Sequence, residues 1–416
     1  MTTQTAPANP APTPSPEEAA RFENSLARHP YRALFPLGWF LAWWGLAPWV
    51  LFWLDTDTPY PIWTHSMILV QGVLTTFAAG FLFTMFPRRL TAPAPNTFQL
   101  CVVLVVPFVH AILVYLQAIG WAHLVWSLEA ALLLEFSASR VFTKRGARTG
   151  PAAFLWVPIG FAFGLTGSIL LTGVYLLDHV VPQSLAHFGA LLLFQGLFLS
   201  LAMGVGAMFL PLTSRKESSL DVSLTDYPGR RRLGHFLAAT GLTAGFTCTA
   251  LGYAQVGGIL ATLSVLSVLL VAARIHRLPQ VPGTQRFLIW LSSWCMPLGL
   301  AFLTFLPHRP HVGQHMLYIG GLLLLTLSVG LHVGLAHAGG QELVQKPVWR
   351  VRIFGLLLFA ALAFRIWAEY APQTRFGWLA AAAGCAMIAL LPWGGLILPR
   401  LLPLLRPPKP TASEEV

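Results

Sequence analysis

Three of the thirteen histidines in this 416-residue chain stand at the head of long apolar stretches. The stretches are HSMILVQGVLTTFAAGFLFTMFPRR from His65, HFGALLLFQGLFLSLAMGVGAMFLPLTSR from His187 and HMLYIGGLLLLTLSVGLHVGLAHAGG from His315. Each has a glycine step about two turns on and reaches Gly80, Gly204 or Gly330 after 15, 17 or 15 residues; Pro87, Pro211 and His337 follow seven residues later. A neutral imidazole ligates metals and the iron of haem. His311 and His315 lie one helical turn apart, a spacing that lets both rings face one ligand. Each group also has a plainer role. Histidines at helix ends rest at the lipid headgroup level, and His123, His179 and His308 are read that way. Arg365 and Glu369 are four apart, the spacing of an ordinary helical ion pair, and Arg375 could meet a lipid phosphate. Small residues behind each histidine leave room for a flat macrocycle or simply for close helix packing.

Such groups must be carried by elements that live in lipid. The chain is 56% hydrophobic and 10% charged, against roughly 25% charged in soluble domains. Apolar runs long enough to cross a bilayer, about 20 residues, fall near 33–54, 61–86, 98–118, 121–140, 152–177 and 183–211. A second set falls near 234–254, 256–273, 286–306, 312–337, 351–369 and 376–396. The expected fold is therefore all-α and polytopic, with about twelve transmembrane helices in one domain over 29–400, flanked by tails at 1–28 and 401–416. The first tail, rich in Pro, Ala and Thr, lacks the apolar core of a signal peptide. The histidine-headed stretches are helices two, six and ten, and their starts are 122 and 128 residues apart. That periodicity predicts three units of four helices.

Charge supplies an independent count. With both termini inside, all but three of the 26 Lys and Arg residues fall in cytoplasmic segments, the exceptions being Arg309, Arg365 and Arg375. A miscounted helix would break this alternation, since every later loop would change sides. The net charge of +11 is thus topological, and no basic domain points to nucleic acid. On this topology His65, His187, His311 and His315 share the outer end. Cys101, Cys248, Cys295 and Cys385 are scattered, and no C-x-x-C-H sequence exists to attach haem covalently. The fifteen tryptophans cluster near helix ends, as in WFLAWWGLAPWVLFW, in keeping with an interfacial belt.

WTHSMILVQGVLTTFAAGFLFTMFPRR, GVGAMFLPLTSRK, HMLYIGGLLLLTLSVGLHVGLAHAGG and the entry segment HPYRALFPLGWF resemble the signature segments of the NnrS family. The resemblance spans the whole membrane region. It implies a twelve-helix bacterial membrane protein containing haem and copper and associated with the response to nitric oxide and nitrosative stress. This sequence departs from the pattern: Trp63 and Ser66 replace a histidine and a glutamate of the opening motif, Ala207 an arginine of the middle one, and the last becomes Ala336 to Gly340. Losing one histidine of the opening doublet weakens the case for copper. The arrangement is similar, more distantly, to the main subunit of haem-copper oxidases, where histidines of helices two and ten hold a haem and arginines near the last helix connection hold its propionates. His65, His315, Arg365 and Arg375 match that scheme. The copper-binding histidines of helix seven have no counterpart, since its only histidine, His235, lies at the inner end. No complete oxidase or nitric oxide reductase site is readable, and no catalytic residue is assigned.

Two readings follow. In the first, His65 and His315 ligate a b-type haem, Arg365 and Arg375 hold it, His187 with His311 face a vacant or metal-occupied pocket, and nitric oxide or a similar small gas is bound. In the second, a cofactor-free transporter relays protons along its histidines. Glu129 and Glu135, both in helix four, are the only acidic residues well inside a span, a scarcity that favours haem. No segment identifies an electron donor.

Overall fold

The computed structural model describes residues 26–55, 57–142, 150–177, 181–215 and 228–402. His179 and most of both tails lie outside these residues. Twelve long helices account for the fold, and among the described residues there is no strand. They are α1 (Tyr31–Leu54), α2 (Ile62–Leu90), α3 (Thr97–Tyr115), α4 (Ile119–Val141), α5 (Ala152–Leu176), α6 (Gln183–Ser214), α7 (Pro228–Ala250), α8 (Ala254–Val271), α9 (Thr284–Phe305), α10 (Pro310–His337), α11 (Trp349–Trp367) and α12 (Pro372–Leu401). Ten are long and apolar enough to cross a membrane by composition alone. The other two are α7, which begins among Arg230 to Arg232, and α11, which carries Arg350, Arg352 and Arg365. Large apolar side chains such as Phe98, Leu128, Leu237, Val271 and Leu356 remain exposed on helix faces, as expected where the solvent is hydrocarbon. The chain is a polytopic helical membrane protein.

Local chemistry sets the helix ends. Asn96 Oδ1 accepts from the Gln99 N–H at 2.8 Å and Gln99 Oε1 from the Asn96 N–H at 3.1 Å, a reciprocal cap that starts α3. Just before it, α2 stops at Thr91, whose φ of 52° is left-handed.

The three histidine-headed helices are the most buried. α2, α6 and α10 are 89, 72 and 78% buried over their most apolar windows, more than any other span among the described residues. Within each set of four, the first and second helices pack together, and α12 closes on α1. Aromatic contacts join the central helices. The Phe81 and Phe209 ring centroids are 5.9 Å apart and those of Phe209 and His332 5.1 Å.

Each central helix also widens into a π turn shortly after its histidine: Ile68–Leu74, Leu192–Gly196 and Met316–Leu323. Such turns insert a residue into the α ladder and recur at functional sites. The neighbouring helix comes unusually close here. A Cβ on Gly299 of α9 would lie 2.7 Å from the Leu317 nitrogen and 2.8 Å from the Gly313 oxygen of α10, so only glycine fits. Three tryptophans leave the interfacial belt. Trp126, Trp156 and Trp393 are fully buried, and each indole N–H finds an acceptor, as burial in apolar surroundings demands. Trp126 donates to the Gln71 carbonyl and Trp393 to the Leu327 carbonyl, both at 2.9 Å, fastening α4 to α2 and α12 to α10; Trp156 donates to His235 Nδ1 at 3.1 Å.

Several arginines gather at the end away from Arg309, Arg365 and Arg375. Arg88 reaches His29 and His337 there, at 3.2 and 3.4 Å, and Arg215 donates to the Arg274 and Ala273 carbonyls. The heads of α2, α6 and α10 lie at the other end.

Candidate functional site

At the histidine-rich end a cavity of about 490 Å³ opens between α1, α2, α6, α10, α11 and α12. His65, His187, His311, His315, Arg365 and Arg375 all line it. Leu46, Leu69, Leu74, Leu379, Ala382 and Ala383 provide much of its apolar wall. A pocket of this size with a few convergent polar groups is the usual form of a small-molecule or cofactor site.

The two central imidazoles are held alike. His65, in the first turns of α2, has Nδ1 3.1 Å from the Gly45 carbonyl of α1, and its ring meets the edge of Trp49 at 5.8 Å. His315 has Nδ1 2.9 Å from the His311 carbonyl one turn earlier. A carbonyl can only accept, so in both rings Nδ1 carries the proton and Nε2 keeps its lone pair. Metal-ligating histidines are oriented in this way. The Arg365 Nε–H donates to His315 Nε2 at 3.2 Å.

Arg365 is 8% exposed and donates from Nη1 to Glu369 Oε1 at 2.8 Å; Arg375 Nη2 reaches the same oxygen at 3.4 Å. The i,i+4 pair expected from sequence is present, and Arg375 joins it. Burial pushes the Glu369 carboxyl up, but the hydrogen bond and charge of Arg365, with His311 and Arg375, outweigh it and hold the group below the ordinary carboxylate range. The cluster still has two cationic groups to one carboxylate. Moreover, Arg375 Nε is buried without a hydrogen-bond partner among the described residues. That unused donor at the cavity wall suits an anionic group such as a carboxylate.

The remaining histidines are less closely held. His311 Nδ1 lies 2.9 Å from Gln314 Oε1, and its ring centroid is 6.3 Å from that of His315. His187 is exposed at the rim. Among the described residues no three His, Cys, Asp or Glu side chains form a group that could hold a metal ion.

One placement differs from the sequence reading. His123, expected at the headgroup level, is fully buried, its ring stacked on Tyr175 at 5.9 Å. His332 is buried against Phe209 in the core. His308 is exposed, as expected. Sequence reasoning also missed Tyr318, a cavity residue whose hydroxyl donates to the Phe194 carbonyl at 3.1 Å and so ties the π turn of α10 to that of α6. Its one sequence signal is its place three residues after His315.

Fold and site together define a polytopic helical membrane protein with a histidine- and arginine-lined cavity at one end of a threefold-repeated bundle. A family model described as NnrS protein matches residues 25–403. The chain belongs to the NnrS family. Comparisons with curated proteins and with solved structures return no match.

Proposed function

We propose that the cavity holds a b-type haem between His65 and His315, with Arg365 and Arg375 receiving its carboxylates, and that the protein binds nitric oxide or a similar diatomic gas. The observation that carries this reading is the matched pair of imidazoles, each with Nδ1 hydrogen-bonded to a backbone carbonyl and each lining the cavity that Arg365 and Arg375 share. The residues present fit the group: two neutral imidazoles of fixed tautomer, an apolar wall, an arginine with an unused buried donor, and Arg365, whose Nε–H would leave the His315 Nε2 lone pair to the iron and turn to a carboxylate. Held by His65 and His315, haem would supply an iron able to take up a diatomic gas. The chain itself orients the two rings, keeps Nε2 of each unprotonated and offers positive charge beside them. Its apolar wall admits an uncharged gas and disfavours ions. Copper has weaker support here, because Trp63 and Ser66 stand in place of family donors and no three-residue group assembles among the described residues.

The setting would be a bacterial cytoplasmic membrane, and the arginine distribution supports both termini inside and the cavity facing outward. The role in the cell would be protection during nitrosative stress. The test is an absorption spectrum of the detergent-purified protein, oxidised and dithionite-reduced, for wild type, His65→Ala and His315→Ala. The expected result is a Soret band with sharp reduced α and β bands that both substitutions abolish. Wild-type protein lacking any haem band after expression with added haem would overturn the proposal and leave the cofactor-free transporter as the better reading.

A further inference from the structure

Away from the cavity, the first four-helix unit buries a set of polar groups that find no partners. Glu129 in α4 is fully buried, and neither carboxyl oxygen has a hydrogen-bond partner among the described residues. The same holds for both side-chain amide atoms of Gln71, for Thr76 Oγ1, for His110 Nε2 and for both ring nitrogens of His123, all in residues that are 0% exposed. Buried polar groups left without partners commonly mark ordered water.

Their placement has a direction. Ala122, Glu129 and Phe136 are spaced by seven and so share one face of α4, about 10 Å apart from one to the next. On the side toward the histidine-rich end, His110 Nδ1 donates to the Ala122 carbonyl at 3.1 Å. His110 is also close enough to His123 to influence it electrostatically. Trp126, one turn from Glu129, brings the Gln71 backbone against α4. On the other side, Phe136 packs on Phe83 with ring centroids 4.4 Å apart, both rings buried, and Phe86 stacks on Phe154 at 5.0 Å. Unpartnered Gln71, His110 and His123 lie toward the histidine-rich end from Glu129; on the other side stands an aromatic layer, where the buried hydroxyls of Thr84 and Ser137 are satisfied by carbonyls of their own helices.

We propose that Glu129 is a dead-ended proton site: its carboxyl carries a proton inside the membrane and exchanges it only with the histidine-rich end, through buried water held by Gln71 and His110. The exchange is balanced, since the O–H bond broken at Glu129 is replaced by one formed from the incoming proton, and the net charge of the site is unchanged. Nothing in this assignment depends on haem.

The test is infrared spectroscopy of the full-length, detergent-purified protein transferred from H2O to D2O. Wild type should show a protonated-carboxyl C=O band that shifts to lower frequency in D2O and is missing from Glu129→Gln. His110→Phe should keep the band but slow its shift by tenfold or more. Should Glu129→Gln fail to fold, Glu129→Asp would identify the band by moving it. Three results would each overturn the proposal: no band dependent on Glu129, a dependent band that never shifts in D2O, or one that shifts as fast in His110→Phe as in wild type. None of these bears on haem binding, which is judged from the visible spectrum.

Discussion

Replacing Arg365 by Met should destabilise the protein, and removing its acidic partner as well should restore much of the loss. At 2.8 Å, with both side chains 10% exposed, the Arg365–Glu369 pair attracts by about 6 kcal/mol at an effective dielectric near 20. Desolvation of both ions offsets most of this, so the intact pair contributes little net stability. Deleting one partner is different, because it leaves a buried carboxylate without compensation, at a typical cost of about 3–5 kcal/mol. Arg375, 3.4 Å from the same oxygen but 37% exposed, recovers part of that. We therefore expect Arg365→Met to cost about 3 kcal/mol. About 1 kcal/mol of this comes from the donor that His315 Nε2 loses and persists in the Arg365→Met/Glu369→Leu double variant. The remaining ~2 kcal/mol is what adding Glu369→Leu should restore, measured as unfolding in sodium dodecyl sulfate followed by circular dichroism. A double variant as unstable as Arg365→Met would refute the argument, since it would mean that the stranded carboxylate is not what costs.

Glu369 also sets an acid limit. Its folded value lies below the ordinary 4.5, so its contribution is complete above that pH and disappears as pH falls through the lower folded value; Glu369→Gln should flatten the acid limb of a stability-versus-pH profile. Trp126→Phe should cost about 1–3 kcal/mol in the same detergent titration, because it strands the buried Gln71 carbonyl. Gly299→Val should be worse tolerated than Gly395→Val. A Cβ at 299 collides with the α10 backbone, whereas one at 395 meets nothing within 4 Å; relative yield of folded protein would measure the difference.

Much of this architecture was legible from hydropathy because lipid demands unbroken apolar runs. The twelve runs match the twelve helices, and the histidine-headed repeat corresponds to the three central, most buried ones. The candidate residues could be grouped because helix direction alternates with each short connection, which sends His65, His187 and His315 to one end. What escaped was whatever depends on neighbours across space. His123 looks like an end-of-helix residue, yet Tyr175 and Ser168 of α5 cover it. Trp126 is indistinguishable in sequence from a belt tryptophan until α2 supplies its acceptor. Glu369 was visible as one half of a helical pair, but its second arginine comes from beyond a helix break.

The π turns separate two jobs within one rod. Each residue of an α-helix advances the side-chain direction by about 100°, so one inserted residue swings everything on one side of it relative to everything on the other. The head of each central helix can thus aim its histidine at the cavity while the lower half aims Phe81, Phe209 or His332 at the common axis. Deleting a single residue from Ile68–Leu74 would leave a more regular helix and a misdirected His65. The irregularity is what lets three copies of one helical unit keep a shared core and still present three differently placed imidazoles.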